Sequence, residues 1–133
     1  MKYLLDTCVL SDFAKGEPGT QRNLKSKPPA SLAISVVTAM EVEYGLLLHP
    51  ARTRRLAPVM RALVGAISTL GYNAPEGQAT AALRAALHKK GRPIGAYDVL
   101  IAATALARGL VLVTANQREF SHVSGLIVEN WRE

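Results

Sequence analysis

Four side chains in this sequence combine useful chemistry with unusual placement: Asp6, Glu41, Asp98 and Asn116. Asp6 abruptly ends the apolar run Tyr3-Leu4-Leu5. Glu41 lies in SVVTAMEVEYG, three residues after Thr38 and on the same helical face, with Val37, Tyr44 and Leu48 flanking it at helical spacing. Asp98 lies in GRPIGAYDVLIAATALARG, on the side that carries Ile94, Ile101, Ala102 and Ala105. Asn116 follows the apolar stretch Leu110–Val113. An acid set among apolar residues needs compensation. Taken singly, each has a structural explanation: Asp6 suits a helix N-cap, and Asp98 complements the positive end of a helix dipole. Brought into one pocket, three carboxylates cannot all stay ionised without a cation between them. Oxygen ligands with no His or Cys at hand suit a hard ion, Mg²⁺ or Mn²⁺.

Whether these groups meet depends on the elements that carry them. Tyr3–Leu5 reads as a buried strand, followed by a helix from Thr7 to Lys15 that Gly16 and Pro18 stop. Thr20 to Lys27 is a polar segment of helical character. Leu32–Ser35 is a second strand, and Ser35 caps a helix from Val36 to Leu48. Arg52 to Ala66 reads as one helix kinked or split at Pro58. Ser68–Tyr72 is a short strand, and Asn73 caps a helix running to Lys90, with Pro75 and Glu76 in its first turn. The Asp98 helix opens at Gly95 and Ala96 and closes at Gly109. Leu110–Val113 is continuous and apolar, as a central parallel strand should be, and Leu126–Val128 is the last strand. Strands alternating with helices predict an α/β fold with a mainly parallel sheet covered by helices. In such sheets, sites form outside the carboxyl ends of the strands. Asp6, Glu41, Asp98 and Asn116 can all reach that edge.

The chain has 133 residues, 49% hydrophobic and 20% charged, which fits one domain with its own core and excludes a disordered chain. A single cysteine, Cys8, cannot form an internal bridge and reads as a buried structural thiol. No apolar run is long enough for a membrane span, and the first residues do not form a signal peptide, so a soluble, cytoplasmic protein is expected. Sixteen Lys and Arg against ten Asp and Glu give a net charge of +6, which leans toward an acidic partner such as nucleic acid. Arg52, Arg54 and Arg55, and separately Lys89, Lys90 and Arg92, are candidate phosphate contacts; solvated helix faces explain them equally well. His49, His88 and His122 lack a metal-binding spacing and read as incidental. No G-x-S-x-G, P-loop or G-x-G-x-x-G is present, so acyl transfer, nucleotide hydrolysis and dinucleotide binding find no support.

Four segments together, LLDTCVLSDF, SVVTAMEVEYG, GRPIGAYDVLIAATALARG and LVLVTANQREF, resemble the PIN-domain nucleases. They are most similar to the VapC/FitB-type toxins of bacterial toxin–antitoxin pairs. The resemblance spans nearly the whole chain, in the family's order and roughly its spacing. It implies a three-layer fold with a five-stranded parallel sheet, usually in a homodimer. It also implies Mg²⁺- or Mn²⁺-dependent cleavage of RNA, inhibited by a cognate antitoxin whose C-terminal segment covers the site. Operator DNA would be bound only through the antitoxin complex.

By motif, Asp6, Glu41 and Asp98 take the core acidic positions and would hold the metal. Asn116 takes the fourth, where many members carry Asp; a neutral amide there implies orientation of a metal-bound water. Thr7, Ser11, Thr38 and Thr114 match polar positions that would hold the carboxylates in place. The implied reaction is in-line attack of a metal-activated water on the phosphodiester. Two other enzyme readings keep this chemistry, in RNA processing or on DNA, and a fourth reading is a PIN scaffold that has lost catalysis. A phosphoacceptor receiver domain also gathers acids at strand ends. It would want paired acids after the first strand and a Lys after a late one, and this chain has neither.

Overall fold

The computed structural model describes residues 1–133. The first strand, β1 (Tyr3–Leu5), lies at the centre of the sheet. It pairs in parallel with β2 (Leu32–Ser35) on one side and β4 (Val111–Val113) on the other. Next to β2 lies β3 (Ser68–Leu70), and next to β4 lies β5 (Val128–Glu129), giving the order β3-β2-β1-β4-β5, all parallel. β1 is only three residues long, and all three are buried because both faces of the sheet are covered.

Side chains alternate across these strands and divide the core in two. Leu4, Ala33 and Leu112 point to one face, where they meet Leu83 and Leu87 of α6 (Ala74–Lys89) and Ile101, Ala102 and Ala105 of α7 (Ala96–Arg108). Leu5, Ile34 and Val113 point to the other face. There they meet Val9 and Leu10 of α1 (Thr7–Lys15), Val42 and Leu46 of α3 (Val36–Leu48), and Met60 and Leu63 of α5 (Ala57–Ala66). Ala102, Ala103 and Ala105 of α7 are fully buried, and their small size lets that helix lie close against the sheet. The expected three-layer α/β arrangement is the one observed.

Most boundaries follow local chemistry that the sequence displays. The Ser35 hydroxyl accepts from Val37 N at 3.0 Å and starts α3. Asn73 and Glu76 form a reciprocal capping box on α6. Gly109 ends α7 at φ 63°, in the left-handed region where glycine is favoured. The prolines depart from expectation. Pro18 opens α2 (Pro18–Lys25), Pro50 opens α4 (Pro50–Thr53), and Pro58 lies in the first turn of α5. Of the two expectations for Arg52 to Ala66, the split is the one observed, with the break just ahead of Pro58 between α4 and α5. A proline in a first turn sacrifices no hydrogen bond, so these residues start helices as readily as they stop them. A short helix, α8 (Gln117–Phe120), follows β4. The last strand starts at Val128, two residues later than the apolar run suggests.

The segment after β5 folds back onto β1 and α1. Trp131 stacks edge-on against Tyr3 with ring centroids 5.2 Å apart. Arg132 donates two hydrogen bonds to Asp12, at 2.6 and 2.9 Å. No helix is long and apolar enough to cross a membrane.

Candidate active site

The register of the sheet brings the first two polar residues of the site together. Leu5 lies opposite Val113, and Asp6 N donates to Val113 O at 2.9 Å, so the residues that leave β1 and β4 emerge side by side. Asp6 is 7% exposed, and its two oxygens have different duties. Oδ1 accepts from Thr7 N at 2.8 Å and caps α1, so the plain structural role is real. Oδ2 accepts from the Thr114 hydroxyl at 2.8 Å and from the Cys8 thiol at 3.7 Å. The capping role thus leaves one oxygen for the cleft, held from behind by Thr114.

Glu41 arrives from the second turn of α3, where its Oε1 accepts from the Thr7 hydroxyl at 2.9 Å. Burial pushes its carboxyl above the usual range and the Asp6 charge adds to this, while the Thr7 bond opposes them. Asp98 stands in the first turn of α7 and is half-buried. Its carboxyl is pushed up to about 7, first by burial and then by a hydrogen bond shared with Glu119. The charges of Glu119, Asp6 and Glu41 raise it further. One side chain therefore registers all three other acids, the electrostatic signature of carboxylates gathered without a counter-ion.

The fourth acid of the cluster is Glu119, not a residue the sequence motifs single out. Its Oε1 accepts from Gly95 N at 2.8 Å, which ties α8 to the start of α7. Its Oε2 accepts from the Asn116 amide at 2.6 Å. Asn116 is exposed, its own N–H donates to Thr114 Oγ1 at 3.0 Å, and its side chain serves Glu119. Asn116, at the fourth motif position, thus spends its amide on bracing Glu119, and it is Glu119 that adds a further carboxylate to the cluster. The available signal was the Asn116-x-x-Glu119 spacing, from the residue that caps α8 to the third residue of that helix, which brings the two side chains within reach. Gly95 completes the corner: a Cβ there would sit 3.0 Å from Asp98 Oδ2 and 3.5 Å from Glu119 Oε1, crowding both carboxylates.

Of the four hydroxyls expected to hold carboxylates, Thr7 and Thr114 do so. Ser11 makes no side-chain hydrogen bond, and Thr38 is fully buried with its hydroxyl unpartnered, so neither holds an acid. Tyr44 and Leu48 are 61% and 53% exposed and do not shield Glu41, because α3 is apolar on almost every side and its helical wheel cannot pick out the inner face. Glu43 is paired with Arg61 at 2.8 Å on the surface, as a peripheral charge should be. Arg52, Arg54 and Arg55, with Lys89, Lys90 and Arg92, are exposed, and none pairs with an acid of the cleft. The Cys8 thiol is pushed up by burial and by the Asp6 charge, which keeps it protonated and unreactive.

The cluster is an all-oxygen donor set, of the kind a hard divalent cation takes, and no Lys or Arg enters it. As they stand, no three of its carboxylates form a closed metal-binding group. An ion would have to draw them together, and the mutual repulsion recorded at Asp98 is what it would relieve.

The parallel sheet gathers acids past β1 and β4, and comparison with known proteins gives the family. Residues 3–126 match the PIN domain. The chain is 38% identical to the tRNA(fMet)-specific endonuclease VapC of Shigella flexneri, over 98% of each chain. It is 36% identical to the protein of the same description in Salmonella typhimurium, again over 98% of each. Among solved structures, DNA-bound VapBC from Salmonella typhimurium superposes with a TM-score of 0.89 at 36% identity, covering 98% of both chains. FitAcB from Neisseria gonorrhoeae gives 0.80 at 27% identity over 97% of both. The chain belongs to the PIN-domain family, in its VapC branch.

Proposed function

We propose that this protein is a Mg²⁺- or Mn²⁺-dependent endoribonuclease, the toxin of a toxin–antitoxin pair. The observation that carries the reading is the cluster of Asp6, Glu41, Asp98 and Glu119, four acids at the edge of a parallel sheet with no internal cation. Asp6 and Asp98 would hold the divalent ion, with Glu41 and Glu119 completing the shell directly or through water. When bound, the ion supplies neutralisation of developing phosphate charge and a lowered pKa for attacking water. Thr114 restrains Asp6, Thr7 restrains Glu41, and Asn116 with Gly95 N restrains Glu119, which supports reading these carboxylates as donors that an ion would draw together. Cys8 is too well protonated to serve as a nucleophile.

The net charge of +6 suits a polyanionic substrate, and the exposed Arg52, Arg54, Arg55, Lys89, Lys90 and Arg92 would contact phosphates. Relatives solved as VapBC, with DNA bound, and as FitAcB support a cognate antitoxin as partner; operator DNA would be bound through that complex. An antitoxin that inhibits would bring positive charge to the acidic cleft. The exposed apolar residues of α3, Met40, Tyr44, Leu47 and Leu48, supply the surface for a homodimer.

The test is RNA cleavage by the purified protein with Mg²⁺, Mn²⁺ or EDTA, beside Asp98→Asn. Metal-dependent cleavage lost in the variant supports the reading. Full activity in EDTA or in Asp98→Asn overturns it.

A further inference from the structure

Between the second half of α6 and the start of α7 lies an open cavity of about 390 Å³. Leu87, Pro93, Ile94 and Leu100 form its apolar floor, and Arg84 and His88 stand at its rim. Those two rim residues are four apart on α6 and share one face. Both are exposed, and neither makes an ion pair or a side-chain hydrogen bond. No carboxylate lines the cavity, although the acidic cluster is its neighbour. Ala96 and Val99 also line it, and they bracket Asp98 in the first turn of α7. Asp98 leaves the opposite side of that turn, so cavity and carboxylates are separated by about one helix diameter, ~10 Å.

Resting on the nuclease reading above, we propose that this cavity is a nucleobase subsite, which takes an unstacked base of the RNA near the phosphate being cut. Three observations point to that occupant. The volume is at the small end of ligand sites and suits one base better than a peptide segment. An apolar floor under an unpaired guanidinium is the arrangement on which single-stranded bases stack. The cationic rim complements a polyanion whose approach to four acids is otherwise repelled. A subsite here gives the enzyme what the acidic cluster lacks. Carboxylates and a cation recognise any phosphodiester, whereas sequence is read from the base.

The test uses the intact protein without metal, titrated with AMP, GMP, CMP and UMP and followed by methyl NMR of Leu87, Ile94 and Leu100. Arg84→Ala and the cavity-filling Ala96→Phe are compared with Arg22→Ala, which removes the same charge from the exposed face of α2. The subsite predicts saturable shifts at the cavity methyls for one or more nucleotides, weakened about tenfold or more by the first two variants and unchanged by Arg22→Ala. It also predicts that sequencing the cut ends of a random RNA pool shows a nucleotide preference beside the cut that both cavity variants flatten. Shifts confined to other residues, or a preference that survives both variants, would overturn it. The two proposals fail separately. Cleavage that is metal-dependent but indifferent to the cavity variants removes the subsite and keeps the nuclease. Nucleotide binding in the cavity by a protein that cuts no RNA does the reverse.

Discussion

Asp6 caps α1 and Asp12 lies within it; the two are almost equally buried, 7% and 9% exposed, yet the fold treats them in opposite ways. Asp12 receives a guanidinium fork from Arg132, at 2.6 and 2.9 Å. Asp6 receives an amide, a hydroxyl and a thiol, and no cation. Elsewhere Glu43 has Arg61 and Glu76 has Arg108, while Glu41, Asp98 and Glu119 of the cleft have none; Glu17, Glu129 and Glu133 also lack an ion pair, outside the cleft. A chain with sixteen Lys and Arg could have supplied a partner. It leaves the edge beyond β1 and β4 unneutralised, so that charge is left for something that is not part of the chain.

The largest effect that tests this contrast comes from Asp6→Asn, which keeps the helix cap and removes the charge. RNA cleavage should fall on the order of 10³-fold or more with the far-ultraviolet dichroism unchanged. Asp12→Asn should leave turnover per folded molecule intact. An equal loss of activity in both variants would erase the distinction. Thr114→Val, which removes the hydroxyl behind Asp6, should weaken Mn²⁺ binding by about 10- to 100-fold in calorimetry. Asp12→Asn should cost about 1–2 kcal/mol in urea unfolding, since it loosens the fork of Arg132.

Asp98 should behave in the opposite sense. Its carboxyl binds a proton more tightly in the folded chain, at about 7, than the usual 3.8. The stability it contributes is therefore complete below about pH 4 and lost as pH rises through 7. In EDTA, the melting temperature should fall across that window. At pH 8, Asp98→Asn should raise it by about 3 °C, on the order of 1 kcal/mol once solvent screening is allowed for. Saturating Mg²⁺ should cancel the gain. Smallest of all, Arg61→Ala breaks a fully exposed pair and should leave the midpoint unmoved.

What the sequence displays and what it hides follow from range. Asp6 is legible because an apolar strand stops dead at it, and β4 is legible because four apolar residues in a row have nowhere to go but inside. Ser35 and the Asn73–Glu76 box are read from neighbours within one turn. Glu119 is hidden because its helix has only four residues, too short for periodicity, and its orientation is set by Gly95, twenty-four residues away. Asn116, three residues earlier and directly after the strand, draws the attention instead. The bond between Asp12 and Arg132 spans 120 residues, and no local pattern announces it. The inward face of α3 is hidden for another reason: a helix apolar all round offers no contrast from which to choose a side.

The central position of β1 also has a consequence in time. During synthesis β1 emerges first, but its second neighbour, β4, follows more than a hundred residues later, and the Thr114 bond to Asp6 closes a loop of 108. At about 5–20 residues per second, a growing chain spends several seconds with its first carboxylate exposed and its site unassembled. Asp98 and Glu119 join it only when nearly everything else has been made. The order of the strands thus works as a delay, since a chain that stops short of β4 lacks both the strand that pairs with β1 and the hydroxyl that holds Asp6.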